Sequence, residues 1–351
     1  MLSTIVVPLD GSGLAERALP YATRLTRQSQ GRLLLVRAAW SRRVPGKDET
    51  QAEIAATEAA EADLEAAAAK LRADGLEVET HVYYDRPAPA IVDLAMRQGA
   101  HLIVMSTHGR GGLGRWIYGS VADEVLRHAP APVLLIPASC TQTWPTDRPL
   151  RLAVPLDGSE LAEEALGAVT KLKEALPVEI TLIQVVGTSY YAATEFPVVT
   201  IDPEGDVAAA QQYLDQIVAR LGANGITATA NAELGRAPEI IARVARERDC
   251  DAIVMATHGH GGLARLVLGS TATGVIHLTN LPLLLVLPES VREAAPVTES
   301  GQAVTLTLDQ RDLELVRRSL DRLVESGEAD AHAAAHAREL RARLTANKTP
   351  A

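Results

Sequence analysis

Two short patterns in this chain hold residue types that handle phosphate and ribose, and each occurs twice. The first is Pro8-Leu9-Asp10-Gly11-Ser12, repeated as Pro155-Leu156-Asp157-Gly158-Ser159. Each follows a short apolar run, so each carboxylate stands at the end of a strand, where it can accept hydrogen bonds from hydroxyl groups. The alternative role for Asp10 is a turn or helix-capping residue. The second pattern starts at Ser106-Thr107-His108 and runs to Gly119-Ser120; its copy runs from Ala256-Thr257-His258 to Gly269-Ser270. Gly109, Gly111, Gly112 and Gly114 let backbone N–H groups turn toward an anion without Cβ obstruction. Gly119-Ser120 opens a helix and adds unpaired N–H groups, the positive helix end and a hydroxyl. Arg115, matched by Arg265, supplies positive charge for phosphate.

Other chemistries have weaker support. No G-x-x-x-x-G-K-[ST] occurs, and the G-x-G-x-x-G spacing at Gly109, Gly111 and Gly114 lacks the ribose-binding acid about 20 residues further on, which disfavours a P-loop and a dinucleotide site. Ser12 or Ser159 with His108 or His258 would need a nucleophile elbow, and none surrounds them. His258 and His260 lack a counterpart pair, because Arg110 stands in the first copy. His332 and His336 are four residues apart without a third ligand, the pattern of a solvated helix face. Catalytic and metal residues are therefore expected to be none. The net charge of −10 and an aromatic share of 3% argue against nucleic acid as a partner. No apolar run reaches the length of a membrane span, and no leader pattern precedes Ile5. The two cysteines, Cys140 and Cys250, form no C-x-x-C pair, so a reducing cytoplasm is expected.

The elements that must position these residues are themselves duplicated. Residues 5–19 match residues 152–166 at 11 of 15 positions, and residues 101–120 match 251–270 at 12 of 20. The offset is 147 in the first comparison and 150 in the second. A period this long means a duplicated domain, with a linker at about 139–150. Within the first copy, apolar runs at 5–9, 33–38, 102–105 and 133–136 alternate with helical patterns. One helix carries Leu14, Ala18, Ala22 and Leu25; others cover about 52–72 and 87–97, and a last one starts near Gly119. Residues 77–83 alternate as an edge strand does. The expected class is α/β: two tandem, doubly wound, five-stranded parallel-sheet domains of Rossmann-like type, spanning 1–140 and 150–289. A C-terminal strand and helical hairpin is expected over 302–346, with Leu313, Val316, Leu320 and Leu323 forming one stripe. The last strands, 133–136 and 283–287, are expected to meet, since an open apolar edge invites aggregation.

Taken together the motifs resemble the universal stress protein family, whose nucleotide-binding members carry G-x2-G-x9-G-[ST] after the fourth strand. Ser106-x2-Gly109-x9-Gly119-Ser120 and Ala256-x2-Gly259-x9-Gly269-Ser270 keep that spacing, with the first glycine replaced. A backbone with positive φ at that position would strain either replacement. The resemblance covers residues 1 to about 289 and implies an adenine-nucleotide-alpha-hydrolase-like fold that binds ATP in stress response or signalling. A divalent metal such as magnesium is an optional companion of the nucleotide. Residue by residue, it implies Asp10 and Asp157 near the ribose, Pro8 and Pro155 lining the adenine, and Ala38 and Val185 meeting the adenine from strand two. Ser120, Ser270 and the glycine loops would form the phosphate cradle. Efficient catalysis is not implied; a slow nucleotide hydrolase and a nucleotide-free interaction scaffold are the alternatives. The two copies would form an internal pseudo-dimer, with a homodimer as a further arrangement.

Overall fold

The computed structural model describes residues 2–39, 49–107, 119–187, 202–257 and 268–288. All belong to the first of two compact units, Met1–Ala295 and Pro296–Ala351. The expected tail strand and hairpin, with His332 and His336, lie outside the described residues.

The first half opens with β1 (Thr4–Pro8), α1 (Leu19–Ser29), β2 (Arg32–Ala38), α2 (Glu49–Ala73) and β3 (Glu77–Tyr83). It continues with α3 (Pro87–Arg97), β4 (Leu102–Ser106), α4 (Ser120–His128) and β5 (Val133–Ile136). The second half repeats the order. It begins with β6 (Leu150–Pro155), α5 (Glu160–Ala175), β7 (Val178–Gly187), α6 (Pro203–Ala223) and β8 (Thr227–Gly235). It ends with α7 (Ala237–Glu247), β9 (Ala252–Ala256), α8 (Ser270–Leu278) and β10 (Leu283–Val286).

One local difference between the halves has a covalent cause. The helix expected from Leu14 onward is split: a 3-10 turn, Ala15–Ala18, precedes α1. Pro20 stands at the start of α1 and has no N–H to return to Glu16, so the first turn tightens. The matching position in α5 is Gly167, and that helix runs unbroken for 16 residues.

The ten strands form one sheet in the order β3-β2-β1-β4-β5-β10-β9-β6-β7-β8. Every pairing is parallel except the central one, β5 with β10. Leu134 pairs with Leu284, Val133 with Leu285 and Leu135 with Leu283. At the repeat offset of 150, Leu284 is the counterpart of Leu134 itself. A local twofold axis therefore passes between these two leucines, and the expected meeting of the last strands is observed. β3 and β8 are left as the outer edges, as the alternation at 77–83 anticipates.

Helices cover both faces. α1, α2, α5 and α6 close a core on one side that includes Leu25, Leu64, Leu166 and Leu214. α3, α4, α7 and α8 close the other over Ile91, Leu94, Val125 and Val275. The segment between β5 and β6 has no helix or strand, yet it is packed. Trp144 is buried edge-on against Tyr21, with ring centroids 5.1 Å apart. Its indole N–H donates to the Asp251 carbonyl at 3.3 Å, and Arg148 binds both Asp251 carboxylate oxygens at 2.7 and 2.9 Å.

Two outcomes test this architecture. Leu134→Ala removes a side chain 1% exposed on the twofold axis and should cost about 2–5 kcal/mol in urea denaturation. A loss below about 0.5 kcal/mol, the range of surface substitutions, would show that the axis contact is dispensable. Cys250 is buried, and that burial, reinforced by the Asp251 charge, pushes its thiol up to about 11. A raised value means that its contribution to stability is full below the ordinary thiol range and fades as pH rises toward about 11. In a Cys140→Ser background, an aromatic disulfide reagent at about pH 8 should react only after unfolding. Fast reaction of the native protein would contradict this burial.

Candidate functional site

The site begins with an absent hydrogen-bond donor. Along a strand, successive residues direct their backbone groups toward opposite neighbours. The Leu9 N–H donates to Val36 O of β2 at 2.8 Å, while Thr4 O accepts from His101 N at 2.9 Å on the β4 side. Pro8 shares the parity of Thr4, so its nitrogen faces β4 with no proton to give. The ladder between β1 and β4 holds only Ile5 with Leu102 and Val6 with Ile103, whereas β1 and β2 stay paired to Pro8. The second half does the same. Pro155 lies on the β9 side, and β6 pairs with β9 only at Leu152 and Ala153. A crevice therefore opens at the carboxyl ends of both strand pairs, at the point where the strand order reverses.

One wall of each crevice is an aspartate turn. Asp10 Oδ1 accepts from Ser12 N at 2.9 Å and from Ser12 Oγ at 2.6 Å. Asp157 Oδ1 accepts from Ser159 N and Oγ at 3.0 and 2.6 Å. Gly11 and Gly158 take φ of 77° and 85°, left-handed values that suit glycine. Each serine Oγ in turn accepts from the helix behind it, from Ala15 N at 3.2 Å and Ala162 N at 3.1 Å. The turn role anticipated for Asp10 is therefore present. These contacts also commit Ser12 and Ser159: each hydroxyl gives its proton to the aspartate, an arrangement suited to holding a loop.

The opposite wall is the start of α4 or α8. Sequence reasoning expects unpaired N–H groups at Gly119-Ser120; the Gly119 N–H is instead taken by Thr107 O, at 2.6 Å. Gly269 N is held by Thr257 O at 2.9 Å. These bonds clamp the two ends of each glycine-rich loop, and the threonines responsible were visible in both copies of the motif without being singled out. The N–H groups without an intrahelical partner are then those of Ser120, Val121 and Ala122, and of Ser270, Thr271 and Ala272. Neither helix has a side-chain cap. Gly119 and Gly269 have φ of −55° and −56°, values open to any residue. Glycine is not required there by backbone conformation, but it leaves the approach to the helix end bare of a Cβ. Asp123 lies close to the α4 terminus, and Arg127 binds both of its oxygens at 2.8–3.1 Å.

Ser106 and Ala256 are the buried last residues of β4 and β9. Among the described residues only Gln30 and Asp249 are non-glycine residues with positive φ, so the replaced first glycine of the motif causes no strain. Pro8 and Ala38 end the adjacent strands β1 and β2. Pro155 ends β6 in register with Ile183, and Val185 stands two residues further along β7, which continues to Gly187, so the strand-two position is a strand end only in the first half. Gly109, Arg115, Gly259 and Arg265 lie outside the described residues, as do His108, His258 and His260. Among the described residues no group of three or more His, Cys, Asp or Glu is arranged to hold a metal. No described helix is long and apolar enough to cross a membrane.

Comparison with known proteins fits this geometry. A universal stress protein of Mycobacterium tuberculosis is 27% identical over 215 residues, covering 60% of this chain and 69% of the relative. One from Thermus aquaticus is 35% identical over 142 residues, 39% of this chain and 99% of that one. The crystal structure of a universal stress protein from Archaeoglobus fulgidus superimposes with a TM-score of 0.61 at 21% identity, over 82% of this chain and 97% of that one. At that identity the likeness speaks for the fold alone. The sequence profile of the universal stress protein family matches twice, at residues 1–137 and 150–286, so the chain belongs to the universal stress protein family.

Proposed function

We propose that each half binds ATP in its crevice and that the protein serves in stress response or signalling as a nucleotide-responsive component of the cytoplasm. The observation that carries the reading is the pairing, in both halves, of a crevice opened by a strand-end proline with a helix start capped by glycine alone. Phosphates would meet the free N–H groups at the start of α4 or α8, where the helix dipole favours negative charge. Arg115 and Arg265 would add charge from the loops. The ribose would lie against Asp10 or Asp157, and the adenine against Pro8 and Ala38, or Pro155 and Val185. A magnesium ion, where present, would ride on the phosphates, with water completing its shell. The two free cysteines fit a reducing compartment.

Hydrolysis is not what this site is arranged to do. Ser12 and Ser159 are engaged in their turns, and no P-loop lysine occurs in the sequence. Any turnover should fall well below the ~1–100 s⁻¹ typical of kinases. Titration calorimetry should find ATP bound at two sites per chain. Gly119→Val and Gly269→Val should each remove one site, and the double variant should bind at least about tenfold more weakly with an unchanged circular dichroism spectrum. Unaltered binding in the folded double variant would remove the helix starts from the proposal.

A further inference from the structure

The two halves differ in one partly exposed region between α1 and α2, behind the Asp10 turn. α2 and α6 correspond at an offset of 150, so Ala60, Leu64 and Leu71 match Ala210, Leu214 and Leu221. Ala60 and Ala210 are both buried, Leu64, Leu214 and Leu221 belong to the same core layer, and Leu71 packs against it. Asp63 then matches Tyr213, Ala67 matches Ile217 and Lys70 matches Arg220. At the offset of 147, Glu16 matches Glu163.

In the second half these side chains fill the space and satisfy one another. The Tyr213 hydroxyl donates to Glu163 Oε1 at 2.9 Å, and Arg220 donates to Oε2 at 2.5 Å. Burial and the Glu163 charge raise the tyrosine pKa, so the phenol stays a donor. Ile217 is 3% exposed and completes the packing.

In the first half the same space is open. Asp63 turns to Arg37, at 2.6 Å, and Ala67 is too small to replace isoleucine. What remains is an open-sided cavity of about 290 Å3 among Leu9, Leu19, Leu64 and Leu71, with Gly11, Glu16, Lys70 and the Arg37–Asp63 ion pair on its wall. Among the described residues the Glu16 carboxylate and the Lys70 ammonium have no ion-pair partner, although their counterparts are joined. Leu9 and Gly11 line it from the back of the Asp10 turn, while Pro8, Asp10, Ala38, Ser106, Gly119 and Ser120 do not.

We infer that this cavity is a second ligand site, specific to the first half, that takes a small phenolic carboxylate. The class follows from what fills the counterpart. A free phenol ring would occupy the volume that Tyr213 and Ile217 occupy in the second half, against leucines. Its hydroxyl would donate to Glu16 as the Tyr213 hydroxyl donates to Glu163. Its carboxylate would pair with Lys70, which lacks the acid that Arg220 has. The volume is at the small end of ligand pockets, about 300 Å3 and upward, which suits a single ring with a short acid chain.

The test uses 4-hydroxyphenylacetate with the full-length protein, read by saturation-transfer NMR at millimolar concentration. Phenylacetate lacks the hydroxyl and tyramine lacks the carboxylate; both should bind several-fold more weakly. Asp63→Tyr with Ala67→Ile copies the second half into the first and should abolish the signal while leaving ATP binding intact. Lys70→Gln, on an exposed helix position, should weaken 4-hydroxyphenylacetate about tenfold and leave the uncharged 4-ethylphenol unaffected. No saturation transfer to the wild-type protein would overturn the inference. So would equal binding by the filled variant, or tyramine binding as well as 4-hydroxyphenylacetate. Because ATP binding is read separately, failure here and failure of the crevice assignment are distinguishable.

Discussion

The hydrogen-bonded contact between β5 and β10 governs the rest of this architecture. Each half, taken alone, would end its sheet on a strand of nothing but Val, Leu and Ile, buried on both faces and unpaired along one edge. Such an edge is a template for uncontrolled pairing. Joining the two edges antiparallel removes the hazard once, for both halves, and makes ten strands continuous. Leu134 facing its own counterpart, Leu284, also fixes the register, since a one-residue slip would turn every side chain to the opposite face. The packed connecting segment agrees with that arrangement. Trp144, Arg148 and Asp251 hold the passage from β5 to β6 against the second half, so the segment acts as a clasp between covalently linked partners.

With the sheet closed at its centre and polar at its outer edges, openings are left to the carboxyl ends of the strands. Pro8 and Pro155 show how one imino acid makes such an opening. A proline at that parity cannot extend the ladder to β4 or β9, but it leaves the ladder to β2 or β7 intact. The next residue, Leu9 or Leu156, is still tied to Val36 or Ile183 at 2.8 Å. The aspartate turn is thus anchored on one side and separated from the glycine-capped helix on the other. Rigid walls on both sides of a gap are what preorganised anion recognition needs, because little has to be ordered on binding.

Much of this was legible in the residues, for identifiable reasons. α3 and β5 lie where Pro87 and the run at 133–136 put them, because proline at a helix start and an apolar run buried on both faces leave little freedom. The start of α1 was misjudged: periodicity at Leu14, Ala18 and Ala22 reads through a turn that Pro20 breaks. Gly119 illustrates a different limit. Its glycine signalled a helix start, but the bond from its N–H to Thr107 O spans the loop, and no local pattern encodes which carbonyl accepts. The role of Pro8 depended on knowing that its nitrogen faces β4 and not β2, which follows from register alone.

The divergence between the halves was the least legible feature, and its cause is positional. The repeat offset changes from 147 to 150 between β2 and α2, so the α2 and α6 faces align only at the second offset. Asp63 and Tyr213 look unrelated until Leu64 and Leu214 are seen to occupy the same place in the core. After duplication, the sheet residues and the crevice turns are held in common by the twofold contact and the crevice geometry. The α2 and α6 faces are constrained only by volume. Tyr213 and Ile217 meet that constraint by filling space, and Arg220 by closing an ion pair with Glu163. Asp63 and Ala67 do neither, and the Glu16 and Lys70 charges stay apart. The cavity stands where the other half places Tyr213 and Ile217, and that difference in outline is what the inferred ligand class is drawn from.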